Sequence, residues 1–149
     1  MRVAIACDHA GFYLKQVILE YVKNLGYEVS DLGTMDTTPV DFPDFVEKAA
    51  KAVQSGDVDR GIVICGSGVG ACIAANKING VYASLSHDTY SAHQGVEHDN
   101  ANVLCLGARI IGVELAKEIV QAFLAARFLE GDERFIRRFK KVQAIEANQ

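Results

Sequence analysis

Five short apolar runs, each followed by a turn and then by residues at helical spacing, leave this chain few folds to choose from. Arg2 to Cys7, Tyr27 to Leu32, Gly61 to Cys65, Val81 to Leu85 and Asn102 to Leu106 read as buried strands. Leu14, Val17, Ile18, Tyr21, Val22 and Leu25 recur at helical spacing, and Gly26 marks the stop. Phe42, Phe45, Val46, Ala49 and Val53 give the next helix its apolar face, ended by Gly56. Ala71 to Lys77 and Thr89 to Val96 read as shorter helices. Leu115, Ile119, Val120, Phe123 and Leu124 mark a long one, which Gly131-Asp132 interrupts before Phe135 and Phe139 continue as a terminal helix. This alternation predicts an α/β three-layer sandwich: a five-stranded, mostly parallel sheet covered on both faces. A length of 149 residues suits one domain, residues 1–149, with one sizeable core.

Composition narrows the class of function. A formal net charge of −4 gives no global attraction to nucleic acid or membrane. No apolar run reaches spanning length, and the chain enters a strand almost at once, so neither a membrane helix nor a signal peptide is expected. The cysteines Cys7, Cys65, Cys72 and Cys105 lack zinc-type C-x-x-C spacing and sit in apolar segments. Reduced thiols and a cytoplasmic setting are the natural reading. No His, Cys or carboxylate grouping has metal spacing, so no metal is expected.

The chemistry concentrates at Ile62-Val63-Ile64-Cys65-Gly66-Ser67-Gly68-Val69-Gly70. An apolar strand delivers a cysteine into a glycine-rich turn that feeds a helix. Ligands of open α/β sheets bind at the carboxyl ends of the strands. Glycines let backbone N–H groups approach an anion, and a helix N-terminus favours negative charge there. The same field biases a thiol toward thiolate. A cysteine in an apolar run is also what a small buried hydrophobe looks like; the strand-end position beside the glycines favours chemistry. The glycines alternate and do not form the dinucleotide pattern G-x-G-x-x-G, which argues against a nucleotide binder.

Cys7-Asp8-His9-Ala10-Gly11 closes the first strand, so it falls on the same sheet edge as Cys65, and beside it in a flavodoxin-like strand order. Asp8 also suits a helix cap. Arg109 follows the last strand and suits a phosphate clamp. Arg134 and Arg138 share a helix face, as a phosphate site or as part of a solvated basic stripe with Arg137, Lys140 and Lys141. His87 and His93 read as ordinary surface histidines. Glu97-His98-Asp99 precedes the last strand and so faces the opposite edge from Cys65. His98 would then reach Cys65 only in a second subunit, or through a long swing of its loop.

In order along the chain stand Cys7-Asp8-His9-Ala10-Gly11, Asp41-Phe42-Pro43-Asp44, Ile64 to Gly70, Ala74-Ala75-Asn76-Lys77, Tyr90-Ser91-Ala92, Glu97-His98 and Asn102 to Arg109. This set resembles the type B ribose-5-phosphate isomerase family, which includes galactose-6-phosphate isomerase subunits. The resemblance implies a Rossmann-like sandwich, a terminal helix that packs on a partner subunit, and homodimers or tetramers with the active site between subunits. It implies interconversion of ribose 5-phosphate and ribulose 5-phosphate through a cis-enediolate, without a cofactor. It makes Cys65 the base and His98 the acid that opens the furanose ring. Ser67, where many members have threonine, and the N–H groups of Gly66, Gly68, Val69 and Gly70 would hold the enediolate. Asp8 would contact sugar oxygens, Asp99 would stand in the substrate site, and His9, Arg109, Arg134 and Arg138 would bind the phosphate. Asp99 stands where asparagine is usual, Phe135 where histidine is common and Phe42 where tyrosine is common. These departures leave open an isomerase of a six-carbon sugar phosphate, such as allose or galactose 6-phosphate. A non-catalytic sugar-phosphate-binding subunit is the other alternative; Cys65 and His98 in one chain favour a self-sufficient enzyme.

Overall fold

The computed structural model describes residues 1–149. Strand β1 spans Arg2–Cys7, and a 3-10 turn at His9–Gly11 leads into helix α1, Phe12–Asn24. Then come β2 (Glu28–Asp31), α2 (Phe42–Ser55), β3 (Arg60–Cys65), α3 (Val69–Ala75) and β4 (Ala83–Leu85). The chain ends with α4 (Thr89–Asp99), β5 (Val103–Gly107), α5 (Val113–Ala125) and α6 (Glu133–Ala147). All strands run parallel, in the order β2-β1-β3-β5-β4. β1 and β3 are neighbours, as a flavodoxin-like order places them, but β5 stands inside β4. Burial explains the exchange: β5 is buried at every position, whereas β4 is short and half-exposed and belongs at an edge.

Side chains of the central strands alternate between two cores, as the two-residue strand period requires. Val3, Ile5, Ile62, Ile64, Leu104 and Leu106 pack with α1, α4 and α5. Ala4, Ala6, Val63, Cys65, Val103 and Cys105 pack with α2 and α3. The second face is built of small residues, including Ala49, Ala50, Ala71 and Ala75 on the helices, which brings those helices close to the sheet. Cys65 therefore belongs to the α2/α3 layer, at its rim.

Several boundaries differ from the sequence reading. The fourth strand begins at Ala83 because the Tyr82 N–H donates to Asn102 Oδ1 at 2.8 Å. α4 runs past Val96 to Asp99, so His98 lies in its last turn; Asn100, left-handed at φ 55°, ends it. α5 stops at Ala125, well before Gly131, because the Arg60 guanidinium takes the carbonyls of Phe123 and Ala126. The terminal helix lays one face on its own chain. Phe135 is buried against α4, Phe139 packs edge-on to Tyr82 with centroids 4.9 Å apart, and Glu146 accepts the Tyr82 hydroxyl at 3.0 Å. Its other face, with Ile136, Arg137 and Lys140, lines an open groove. No helix is long and apolar enough to cross a membrane.

Candidate active site

A cavity of about 380 Å³ opens where β1, β3 and β5 end, lined by Asp8, Phe42, Cys65, Gly66, Ser67, Gly70, Arg109 and Ile110. Parallel strands deliver their last side chains to one edge, so residues distant in sequence meet there. Gly68 adopts φ 80°, which turns the chain back over the strand end. Its N–H then donates to Cys65 Sγ at 3.1 Å, and the Val69 N–H donates to Ser67 Oγ at 3.2 Å. Gly107 has no room for a side chain: a Cβ there would stand 2.5 Å from the Ser67 carbonyl oxygen. The glycine loop is thus pressed against the end of β5. Val69, Gly70 and Ala71 open α3, where the first N–H groups have no carbonyl one turn back.

The other cysteines differ from Cys65 in setting. Burial pushes the Cys7 thiol up to about 11, against the opposing pull of nearby Lys15. Cys105, fully buried, is raised by its contact with Cys72 and by desolvation. Half-buried Cys72 is drawn down to about 7, chiefly by the hydrogen bond from Cys105.

Asp8 is buried and both caps and lines: its Oδ1 accepts the Gly11 N–H at 3.1 Å, and it faces the cavity. His9 Nδ1 accepts the Val40 N–H at 3.1 Å, tying the loop before α2 to the end of β1. Lys15, a residue that sequence reasoning missed, is fully buried behind this corner. Its Nζ bonds both oxygens of Asp31 at 3.0 Å and the Thr34 carbonyl at 2.8 Å. A lysine at a helical position carries no sequence signal that it faces inward. Exposed Arg109 is placed by its own N–H, which donates to the Gly66 carbonyl at 3.0 Å.

The remaining site residues gather elsewhere. His98 lies on the last turn of α4, whose chain leads into the amino end of β5, the edge opposite Cys65. Its ring stacks on Phe135, with centroids 4.0 Å apart and planes 14° apart. Arg134 and Arg138 carry their guanidinium carbons 5.4 and 6.0 Å from the centre of the same phenyl ring. Arg134 also pairs with Asp132, Nη2 to Oδ2 at 2.7 Å and Nε to Oδ1 at 3.1 Å. That pairing holds the Asp132 carboxyl down to about 2. Asp99 faces a different hollow, beside Tyr82, Ser84 and Val142. One chain therefore carries two clusters: a thiol with backbone donors at one sheet edge, and an imidazole with two guanidinium groups at the other.

The family model described as Ribose/Galactose Isomerase matches residues 3–142. Ribose-5-phosphate isomerase B of Escherichia coli (strain K12) is 43% identical over 145 residues, which is 97% of this chain and 96% of that protein. D-erythrulose-4-phosphate isomerase of Pectobacterium atrosepticum is 44% identical over 133 residues, 88% of this chain and 87% of that protein. Among solved structures, ribose-5-phosphate isomerase B of Clostridium thermocellum superposes with a TM-score of 0.96 at 45% identity, covering 99% of each chain.

Proposed function

The chain belongs to the ribose/galactose isomerase family, and on that premise we propose that it interconverts ribose 5-phosphate and ribulose 5-phosphate. The observation that carries this reading is the cavity itself, where Cys65 Sγ sits among backbone donors beside Asp8, Ser67 and Arg109. The Cys65 thiolate takes the proton from C2 of the open-chain aldose and returns it to C1. Negative charge passes to the two oxygens of the enediolate, where the amides of residues 66–70 and the Ser67 hydroxyl meet it. A donor aimed at developing charge is worth roughly 3–4 kcal/mol. Arg109 and His9 hold the phosphate at the far end of the sugar, since charge-assisted bonds to a dianion are about twice as strong as neutral ones.

His98, Arg134 and Arg138 serve the cavity of a second subunit in a homodimer, while Asp99, which faces the hollow beside Tyr82, takes no part in the step. Two observations support the shared site. The clusters lie at opposite edges of one sheet, and the Cys65 cavity opens beside an apolar side chain, Ile110, that is 58% exposed. Apolar surface of this kind beside a polar pocket suits burial by a partner. The imidazolium of His98 gives its Nε2 proton to the ring oxygen of the furanose. The bond from C1 to that oxygen breaks with its pair staying on the oxygen, and the C1 hydroxyl releases its proton to water as the carbonyl forms. The reaction belongs to carbohydrate metabolism in the pentose phosphate pathway, in the cytoplasm.

The purified chain alone, with EDTA present, is expected to convert ribose 5-phosphate, and Cys65→Ala to lose turnover by orders of magnitude with the fold intact. Near-normal turnover of Cys65→Ala would show that the base lies elsewhere. Binding without turnover by the intact chain would mark a non-catalytic subunit. A panel of four-, five- and six-carbon aldose phosphates fixes the preferred chain length.

A further inference from the structure

Gln94 and His98 stand one helical turn apart on α4, and Gln94 Nε2 lies 2.8 Å from His98 Nδ1. The imidazole lies flat on Phe135 at 4.0 Å between centroids, the one buried residue of α6. Phe135 is itself fixed: its N–H donates to the Asp132 carbonyl at 3.1 Å, and the loop before it is pinned where the Leu129 N–H donates to the Glu97 carbonyl at 3.0 Å. The stack sets the plane of the imidazole, and the amide sets its rotation within that plane. Nδ1 is therefore occupied, and Nε2 is the nitrogen left for a ligand.

We propose that Gln94 and Phe135 are positioning residues for the ring-opening step, holding His98 so that only Nε2 exchanges a proton with the sugar. This rests on the role given to His98 above. A primary amide suits the task because it has two faces. Its N–H₂ donates to bare Nδ1 of the neutral ring when that ring's proton is on Nε2, the arrangement this proposal assigns to the resting chain. After a half-turn its carbonyl accepts the Nδ1–H of the imidazolium. When the imidazolium gives its Nε2 proton to the ring oxygen, the neutral ring left behind keeps Nδ1–H against Gln94 Oε1, and Nε2 regains a proton from solvent. A glutamate at 94 would supply an acceptor only, and a leucine would supply neither face.

The test pairs a spectrum with a rate. In ¹⁵N-histidine-labelled protein, long-range ¹H–¹⁵N correlation reads which nitrogen of neutral His98 carries the proton. Wild type is expected to show Nε2–H, Gln94→Leu a mixture of tautomers, and Gln94→Glu a shift to Nδ1–H. On ribose 5-phosphate, Gln94→Leu is expected to lose about tenfold in kcat, the worth of one well-made hydrogen bond, with KM little changed. Phe135→Leu is expected to lower kcat as well and to broaden the His98 signals. Wild type carrying Nδ1–H overturns the proposal, as does a Gln94→Leu protein with an unchanged tautomer or an unchanged kcat. If Gln94→Leu does not fold, the wild-type spectrum and Gln94→Glu decide the matter. A wild-type chain with no isomerase activity would overturn the function proposed above, and the spectra would still decide whether Gln94 sets the imidazole.

Discussion

Gly70→Ala adds one methyl group where the helix α3 backbone has no need of glycine's freedom, so its effect isolates the wall of the cavity. A Cβ at Gly70 would stand 2.7 Å from Phe42 Cζ and 3.0 Å from both Cε atoms. Carbon atoms in contact rest at roughly 3.5–4.0 Å, so the ring must withdraw by about 1 Å. Overpacking costs roughly 1–3 kcal/mol, while alanine gains about 1 kcal/mol over glycine within a helix. The net loss of stability is then roughly 0–2 kcal/mol, and Tm falls by no more than about 8 °C. Function should suffer more. Phe42 lines the same cavity as Cys65, and a misplacement of about 1 Å can cost on the order of 10²-fold in rate. We expect kcat/KM for ribose 5-phosphate to fall by roughly 10- to 100-fold, read directly from ketose formation. Adding Phe42→Leu removes the ring that the methyl group displaces, so the double variant should regain about tenfold over Gly70→Ala. An unchanged kcat/KM in Gly70→Ala, or a double variant no better than the single, would refute the reasoning.

Other perturbations follow from the same contacts. Lys15→Met keeps the buried stem but leaves Asp31 and the Thr34 carbonyl without their donor. Because Asp31 reaches solvent, the loss should be about 2–3 kcal/mol, seen as a lower urea midpoint with an unchanged slope; an unshifted midpoint would contradict the buried pair. Asp132, held at about 2 by Arg134, favours the folded tail above the ordinary carboxylate range, and that contribution is lost as pH falls through about 2. Hydrogen exchange at the start of α6 should quicken as pH falls from about 4 toward 2 beyond the intrinsic pH effect, and Asp132→Asn should remove the pH dependence. Among the thiols outside the cavity, Cys72, at about 7, should react with iodoacetamide near neutral pH, while Cys7, at about 11, stays unmodified in mass spectra. Equal labelling of the two would show that their settings are not so different.

Most of the frame was legible in the sequence because burial writes itself into apolar runs. Each of the five strands lies in or against a run that the spacing marked, and Gly26 and Gly56 end their helices with positive φ of 93° and 81°. Strand order at the β4 edge was not legible, since it depends on which strand is better buried on both faces, a comparison between segments and not a property of either. The Cys65 corner was legible because glycine at a close approach leaves a mark in the sequence. The His98 corner was only half so. Its position at the far edge followed from topology, but the stack on Phe135 and the amide at Gln94 depend on how α6 docks against α4. Asp132 and Arg134 pair within one turn, where the spacing suggested only a shared basic face. Lys15 was invisible because a lysine on a helix reads as solvent-facing until its partners are known.

The central claim is that Cys65 of one subunit works with His98 of the other. Mixing separately purified Cys65→Ala and His98→Asn proteins after mild dissociation tests it directly. Random pairing gives mixed dimers in which one site holds both native residues and the other holds neither, so activity should rise to about a quarter of wild type. Activity that stays at the sum of the two inactive parents would place both residues in the same subunit's site and contradict the account.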